Sequence, residues 1–589
     1  MLNYFGRNKV HYTEFNWNIL STEHFEIYYY PEMKELAERA AGLAEEQYLE
    51  LQTRFNHSLV KKVPMIIFSS HIHFQQTNTT PYDLPEGIGG FFEFFKGRVV
   101  LPSDGSPSHF KRVLRHELVH VFSDSRILRA INDHRKFNHP GAPLWFTEGL
   151  AELWSGEPDF QAEMVIRDAT LNNTVLPVQQ FFRVQGTYYM YKLGESFLSF
   201  VEEKYGREKI LLLMENIWKS DIFERVVEHT LGKKYDALSE EWIYWLRKKY
   251  YPSMADNDPP SAVTKEITPK GYNSKPAYSK RGDREELFYL ANVNGYTNIY
   301  VKNLKTGDVR TLIRGERTQE FESFHFFKSK LDVDSLGRLA FVAKSGSRDV
   351  LYVCDTETGR ILHRYKYDDL VGIASPSWSS DGRSIAFSGL SISGNDDIYL
   401  LNVSSDPADG MLQQITNDFY DDRNPAWSPD GRYLVFSSDR TYYGSGGSYN
   451  LFLYDVGAKS TFHLTAGAYN DDSPSWSTDG RWIAFSSNRQ GTPTNIWAMP
   501  FVTDSSYFMA DAVSLDPRLY SKYAPRQLTH LTSAVFDPVW THSGDLYLSA
   551  FEDFSFKIRR LPSARTLAAK ASSGERAAEN EVKVPWISP

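Results

Sequence analysis

His116, Glu117 and His120 stand together in the run His116-Glu117-Leu118-Val119-His120. Residues four apart share one face of a helix, so the two imidazoles can grip one metal ion. Glu117, one position along, can act as general base on a water that the ion activates. The competing reading is a surface helix that carries two histidines and a glutamate by chance. Glu148 follows 28 positions after His120, in Trp145-Phe146-Thr147-Glu148-Gly149-Leu150-Ala151-Glu152. A catalytic zinc takes three protein ligands and keeps one position open, and His116, His120 and Glu148 supply that set. Glu152 falls one turn after Glu148 on the same face. It either orients a ligand histidine from behind or is a solvated helix charge.

These residues need elements to hold them. Ser106-Pro107 is a helix start, a hydroxyl cap with proline in the first turn. Phe110, Val113, Leu114, Leu118, Val119, Val121 and Phe122 then make the helix strongly apolar and hence mostly buried. Buried histidines and a buried glutamate need partners, and a metal would satisfy them. Residues 125–141 are polar, with Asn138, Pro140 and Gly141, and read as a loop leading to a second helix that begins near Thr147. Upstream, Phe25, Ile27 and Tyr29 alternate as a half-buried strand ended by Pro31. Met33, Leu36, Ala40, Leu43, Tyr48 and Leu51 follow at helical spacing, and Val63 to Phe68 read as a buried strand. Strand, helix, strand predicts an α+β layer. Arg98 to Leu101 reads as a further strand, either an edge that could hold an extended substrate or part of an ordinary hairpin. Residues 192–250 carry helical apolar stripes, with Gly206 as a stop, and are expected to form the second lobe of the cleft.

The HELVH run followed by WFTEGLAE resembles the gluzincin metallopeptidases, the group of thermolysin and aminopeptidase N. The resemblance implies one catalytic zinc ion, with Glu148 as third ligand and Glu117 as base. Tyr191-Lys192-Leu193-Gly194 looks like the Tyr-x-x-Gly of the aminopeptidase branch, whose tyrosine stabilises the oxyanion. Tyr191 is the implied donor, with Tyr188 and Tyr189 as neighbours that could take the role; the other reading is a core aromatic. Gly90-Phe91-Phe92-Glu93 is similar to the Gly-x-x-Glu that holds a substrate's free amine in that branch. It departs from the fuller pattern at Phe94, where the branch has Asn, and Glu93 could equally be an exposed strand position. Endopeptidase and aminopeptidase both stay open.

Beyond residues 251–262, a Pro- and Asp-rich stretch read as a linker, the texture changes. PSWSSDGRSIAFSG begins at Pro376, PAWSPDGRYLVFSS at Pro425 and PSWSTDGRWIAFSS at Pro474, with Trp378, Trp427 and Trp476 each 49 positions apart. A period in the forties with strand–turn–strand content indicates propeller blades, and each Asp-Gly marks a hairpin turn. Weaker copies near Pro276, Phe324 and Pro538 bring the number to six. Lys265-Glu266-Ile267-Thr268 matches the strands that close other blades at Thr416, Thr465 and Thr529, so it can complete the sixth. The region resembles the TolB-like six-bladed propellers with WD40-like repeats. The expected chain is therefore multidomain: an α+β zincin-like metallopeptidase domain over 1–250, then an all-β propeller over 263–563 closed by 263–268. Residues 564–589 are read as a disordered tail.

The 589 residues are 41% hydrophobic, 24% charged and 15% aromatic, as in a folded chain with much β structure. A net charge of −9 with no long basic run argues against nucleic acid as a partner. Cys354 is the single cysteine, so no intramolecular disulfide forms. No run of 18 apolar residues is present, so no transmembrane helix is expected. The first residues lack the apolar core of a signal peptide. The chain is then either cytoplasmic or an exported bacterial protein without its signal, and the family resemblance favours export. Two functions compete. One is a zinc metallopeptidase acting on a peptide or protein substrate, its propeller gating substrate or docking a protein. The other is a binding or assembly protein working through the propeller face, with a structural N-terminal domain.

Overall fold

Phe25 and Ile27 are fully buried while their neighbours are half-exposed, which makes β2 (Phe25–Tyr29) a strand with one face on the core. The structure, a computed structural model, describes residues 13–572 apart from 81–83, 85–86, 157–159, 269–270, 294, 404–410, 490, 492 and 503–523. β1 (Asn18–Ser21), β2, β3 (Val63–Phe68), β4 (Phe91–Glu93) and β5 (Arg98–Pro102) form one sheet in the order β1-β2-β3-β5-β4. β2, β3 and β5 run parallel, and β1 and β4 pair antiparallel at the two edges. The stretch ending in β5 is thus a hairpin, and its outer strand β4 is an edge.

The helices of this α/β region are α1 (Lys34–Phe55), the single turn α2 (His71–Phe74), α3 (Pro107–Asp133), α4 (Leu144–Trp154), α5 (Phe160–Leu171), α6 (Tyr188–Tyr205), α7 (Arg207–Glu215), α8 (Phe223–Leu231) and α9 (Tyr235–Tyr250). Ser106 caps α3, its Oγ accepting from His109 N at 3.2 Å, with Pro107 in the first turn. Leu114, Leu118 and Phe122 are fully buried, each stabilising the fold by about 1.5–3 kcal/mol. The polar loop expected over 125–141 is a correction: α3 continues to Asp133, because Ile127, Ala130 and Ile131 prolong its buried stripe past the polar Ser123–Arg126. Gly206, at φ +90°, ends α6 as expected.

The segment after α9 is ordered rather than free. A 3-10 turn (Tyr251–Ala255) leads to α10 (Pro260–Val263), and Asp258 N donates to His530 O at 2.8 Å while its carbonyl accepts from Thr532 N at 2.9 Å. Six four-stranded sheets follow. The last is completed by β6 (Lys265–Glu266), which pairs antiparallel with Ser555–Leu561 and so closes the ring. In the strong repeats the turn Asp accepts from the Ser two residues earlier at 2.6 Å (Ser379–Asp381, Ser428–Asp430, Ser477–Asp479), and the following Gly has positive φ. The second blade starts at Asp332–Val333 rather than near Phe324, whose ring instead packs in the core with Phe321 and Phe341.

Five residues that precede proline, Lys275, Ser375, Asn424, Ser473 and Asp537, have φ of 52–56°. That conformation is disfavoured before proline and costs about 1–3 kcal/mol where it occurs. Cross-blade contacts offset it: Ser375 donates to Asn424 at 2.6 Å, Asn424 to Asp472 at 2.7 Å, and Lys275 pairs with Asp537 at 3.0 Å. The tail expected to be disordered begins with a helix, α11 (Ala564–Ser572), because Ala564 and Ala568 pack into the sixth blade's core; residues 573–589 lie outside the described residues. Among the described residues no helix is long and apolar enough to cross a membrane.

The two regions touch at several points. Tyr449 Oη lies 2.8 Å from Ser106 Oγ, so the propeller reaches the cap of α3. Asp168 of α5 accepts from the backbone N–H groups of Asp553 and Phe554, both at 3.2 Å, and the Phe554 ring packs on Tyr189 of α6.

Candidate metal centre

α3 sets His116 and His120 one turn apart with their Nε2 atoms 3.2 Å from each other. α4 starts directly after Pro143 and crosses α3, bringing Glu148 Oε2 to 3.5 Å from His116 Nε2 and 3.2 Å from His120 Nε2. The three donor atoms form a nearly equilateral triangle. Zinc ligands at about 2.0–2.1 Å in a tetrahedron stand about 3.3 Å apart, so the donor set fits such an ion in both chemistry and spacing. Burial alone would raise the Glu148 carboxyl, but the charges and hydrogen bonds of His120 and His116 outweigh it and hold it far below the usual range. The site therefore presents a carboxylate, as a metal ligand must be.

Glu117 projects beside this triangle and is 4% exposed. Burial, then the negative charges of Glu148 and Glu152, push its carboxyl up to about 8, against the opposing His120 charge and a backbone hydrogen bond from Phe92 of β4. Its Oε2 has no hydrogen-bond partner among the described residues. Gly90 covers it: a Cβ there would stand 3.2 Å from Glu117 Oε1 and 2.8 Å from Leu101 Cδ2. Gly90 thus leaves room above the carboxylate that any side chain would fill.

Glu93 is placed elsewhere. Its oxygens accept from Phe95 N and Lys96 N at 3.0–3.3 Å, and from Arg98 Nε at 3.0 Å, so it holds the β4–β5 turn together. Of the three neighbouring tyrosines, Tyr191 faces the cluster. Burial, then the charges of Glu148, Glu117 and Glu152 and a hydrogen bond to Glu148, push its hydroxyl far above the ordinary value. Tyr189 instead donates to Thr174 O at 3.2 Å, and Tyr188 is 47% exposed.

Glu152 lies behind His116, with Oε1 3.9 Å from Nδ1, and its other oxygen accepts from Lys192 Nζ at 2.7 Å. Burial would raise its carboxyl, but the Lys192 and His116 charges keep it low. Lys192 and Arg112, the latter 3.4 Å from the same oxygen, are site residues that sequence reasoning missed. A lysine inside the apolar stripe of Leu193 and Phe197 was the available signal. A second acidic group, Asp397, Asp418 and Asp422, also converges within 4.8 Å, but Arg440 already pairs with both Asp418 and Asp422.

A family model described as a TolB beta propeller domain matches residues 334–445, within the propeller. No curated protein matches the chain. Among solved structures, TolB from Acinetobacter baumannii is 18% identical over 48% of this chain and 78% of its own, with a TM-score of 0.31. The oligogalacturonate lyase of Vibrio parahaemolyticus is 16% identical, covering 52% and 94%, with a TM-score of 0.34. A prolyl endopeptidase is 13% identical, covering 55% and 47%, with a TM-score of 0.32. The C-terminal region is thus a TolB-like six-bladed propeller, preceded by an α/β region.

Proposed function

We propose that the protein is a zinc-dependent peptidase whose site is carried by the α/β region. The convergence of His116 Nε2, His120 Nε2 and Glu148 Oε2 at 3.2–3.5 Å, with Glu117 alongside, carries this reading. Zinc in this donor set would supply Lewis acidity, polarising the scissile carbonyl and an attacking water. Glu117 takes a proton from that water and delivers it to the leaving amine. Burial raises its carboxyl, and a divalent charge beside it would lower it again towards the range of a base at neutral pH. Tyr191 donates to the oxygen that gains charge as the carbonyl carbon becomes tetrahedral. β4 offers its open edge to an extended substrate, and Gly90 keeps the space over Glu117 clear. Glu93 spends both oxygens on its own turn, which favours cleavage within a chain over capture of a free amine. The propeller, in contact with the α3 cap and with α5 and α6, gates or docks the substrate.

Metal analysis of the purified protein, combined with cleavage of internally quenched peptides by wild type and Glu117→Gln, tests this. One zinc per chain is expected, with activity lost in the variant and in chelator. Wild type without zinc, or equal cleavage by both forms, would overturn it. Zinc bound with no cleavage by either form would favour the assembly reading, with the propeller as the working surface.

A further inference from the structure

Lys192 is 1% exposed in the second turn of α6, between Tyr191 and the core residue Leu193. A buried ammonium is costly unless it is paired, so its contacts show what it is for. Its Nζ stands 2.7 Å from Glu152 Oε2, 3.4 Å from Glu195 Oε2 and 5.0 Å from the Tyr188 ring centre. Arg112 reaches the same Glu152 oxygen at 3.4 Å. Two cations thus fix one oxygen of Glu152 and leave Oε1 facing His116 Nδ1 at 3.9 Å. The other nitrogen of that ring, Nε2, faces His120 and Glu148.

We infer that Lys192 is a positioning residue for the metal centre, acting through Glu152 on His116. The inference rests on the zinc peptidase reading. Three carboxylates, Glu117, Glu148 and Glu152, crowd one buried volume. Lys192, with Arg112 beside it, sets the rotamer of the third. Glu152 Oε1 then stands behind the His116 ring on its Nδ1 side and keeps Nε2 turned towards Glu148 and His120, where a metal would sit. Consecutive residues on a helix point about 100° apart. Tyr191 and Lys192 accordingly serve two carboxylates that stand one turn apart on α4, Tyr191 meeting Glu148 and Lys192 meeting Glu152.

The test measures zinc dissociation constants by chelator competition, together with the visible spectrum of the cobalt-substituted protein, for wild type, Lys192→Met, Lys192→Arg and Glu152→Gln. Lys192→Met and Glu152→Gln should each weaken zinc by about 10- to 100-fold and shift the cobalt bands, with Lys192→Arg close to wild type. Combining Lys192→Met with Glu152→Gln should cost little more than either alone, because both break one chain of contacts. Should Lys192→Met fail to fold, Lys192→Met/Glu152→Met removes both buried charges and should fold with the same loss of zinc affinity. Folded variants with wild-type affinity and an unchanged cobalt spectrum would overturn the role of Lys192 alone. Wild type that takes up no zinc would overturn this inference and the peptidase reading together.

Discussion

Gly149 of α4 meets Gly194 of α6 backbone to backbone: a Cβ on Gly149 would stand 2.4 Å from the Gly194 carbonyl carbon, and one on Gly194 only 2.3 Å from Trp145 O. No rotamer relieves a clash with backbone, so the helices would have to separate. Glu148 precedes one of these glycines and Tyr191 lies a turn before the other, so the crossing brings the two together. Gly149→Ala and Gly194→Ala should each destabilise the fold by about 1–3 kcal/mol and loosen the Tyr191–Glu148 contact. Gly42 of α1 has open space around it and should gain about 0.5–1 kcal/mol on change to Ala. Denaturant midpoints for the three variants check this; equal effects would show that the crossing is not tight.

Tyr191 is expected to act on the rate rather than on binding. Removing its hydroxyl in Tyr191→Phe should lower kcat by about 10²- to 10³-fold, with zinc content and KM close to wild type. Tyr189→Phe loses a bond to the Thr174 carbonyl, and Tyr188→Phe changes an exposed ring, so both should keep their rate. Steady-state kinetics on one peptide for the three variants separates them. A rate loss shared by all three would point to packing of α6 instead.

α3 is legible because two constraints coincide along it: a Ser-Pro start at Ser106 and an apolar stripe that buries His120 and half-buries His116. Its far end is not, since Asp124, Ser125 and Arg126 look like loop residues while Ile127 and Ile131 keep the buried stripe running. Glu148 is found by ligand count and Tyr191 by resemblance, yet the Gly149–Gly194 crossing that unites them is a tertiary contact. Lys192 is hidden for the same reason, as its partner Glu152, on another helix, lies far away in the chain. Glu93 misleads because Arg98, which binds it across the turn, is as easily read as a solvated strand residue. In the propeller, Trp378, Trp427 and Trp476 announce the repeat, whereas Ser375 and Asn424 sit in a conformation that local rules disfavour before proline. Only their neighbours in adjoining blades explain it.

Asp168 gives the contact between the two regions a pH dependence. Burial raises its carboxyl to about 6, despite backbone hydrogen bonds from Phe554 and Asp553. In the unfolded chain it titrates near the ordinary value of about 3.9, so between these pH values the native state binds more protons. Its contribution to stability is therefore full below about pH 4 and is lost as pH rises through 6. Asp553 N donates to Oδ1 and Phe554 N to Oδ2, so Asp168→Asn keeps one of the two acceptors at a pH-independent cost and does not titrate. The stability of wild type relative to Asp168→Asn should fall from pH 4 to pH 6.5, by no more than about 3 kcal/mol. Denaturant curves for both proteins at several pH values read this difference; a constant gap would show that Asp168 is not titrating at the contact.

The propeller ring closes on one hydroxyl that lies outside the repeats. In three blades a threonine after the outer strand accepts from the third strand: Thr416 from Ile398 N at 2.9 Å, Thr465 from Leu451 N at 2.8 Å and Thr529 from Ile496 N at 2.9 Å. In the sixth blade Thr268 takes this place from the opposite end of the domain, accepting from Ile558 N at 2.9 Å, while Ile267 N donates to Ile558 O at 2.9 Å. Thr268 and Ile558 are both buried, so Thr268→Val leaves an N–H without a partner and should cost about 1–3 kcal/mol. Thr465→Val removes the same kind of bond at similar cost. The consequences differ in extent. Thr465 joins strands adjacent in sequence, whereas β6 joins the two ends of the domain, through the pairs Arg559–Glu266 and Arg560–Lys265 and the bonds of Ile267 and Thr268 to Ile558. Thr268→Val should therefore speed amide hydrogen exchange across the first and sixth blades together, and Thr465→Val only within its own blade. Exchange confined to Ser555–Leu561 in Thr268→Val would show that closure does not depend on this hydroxyl.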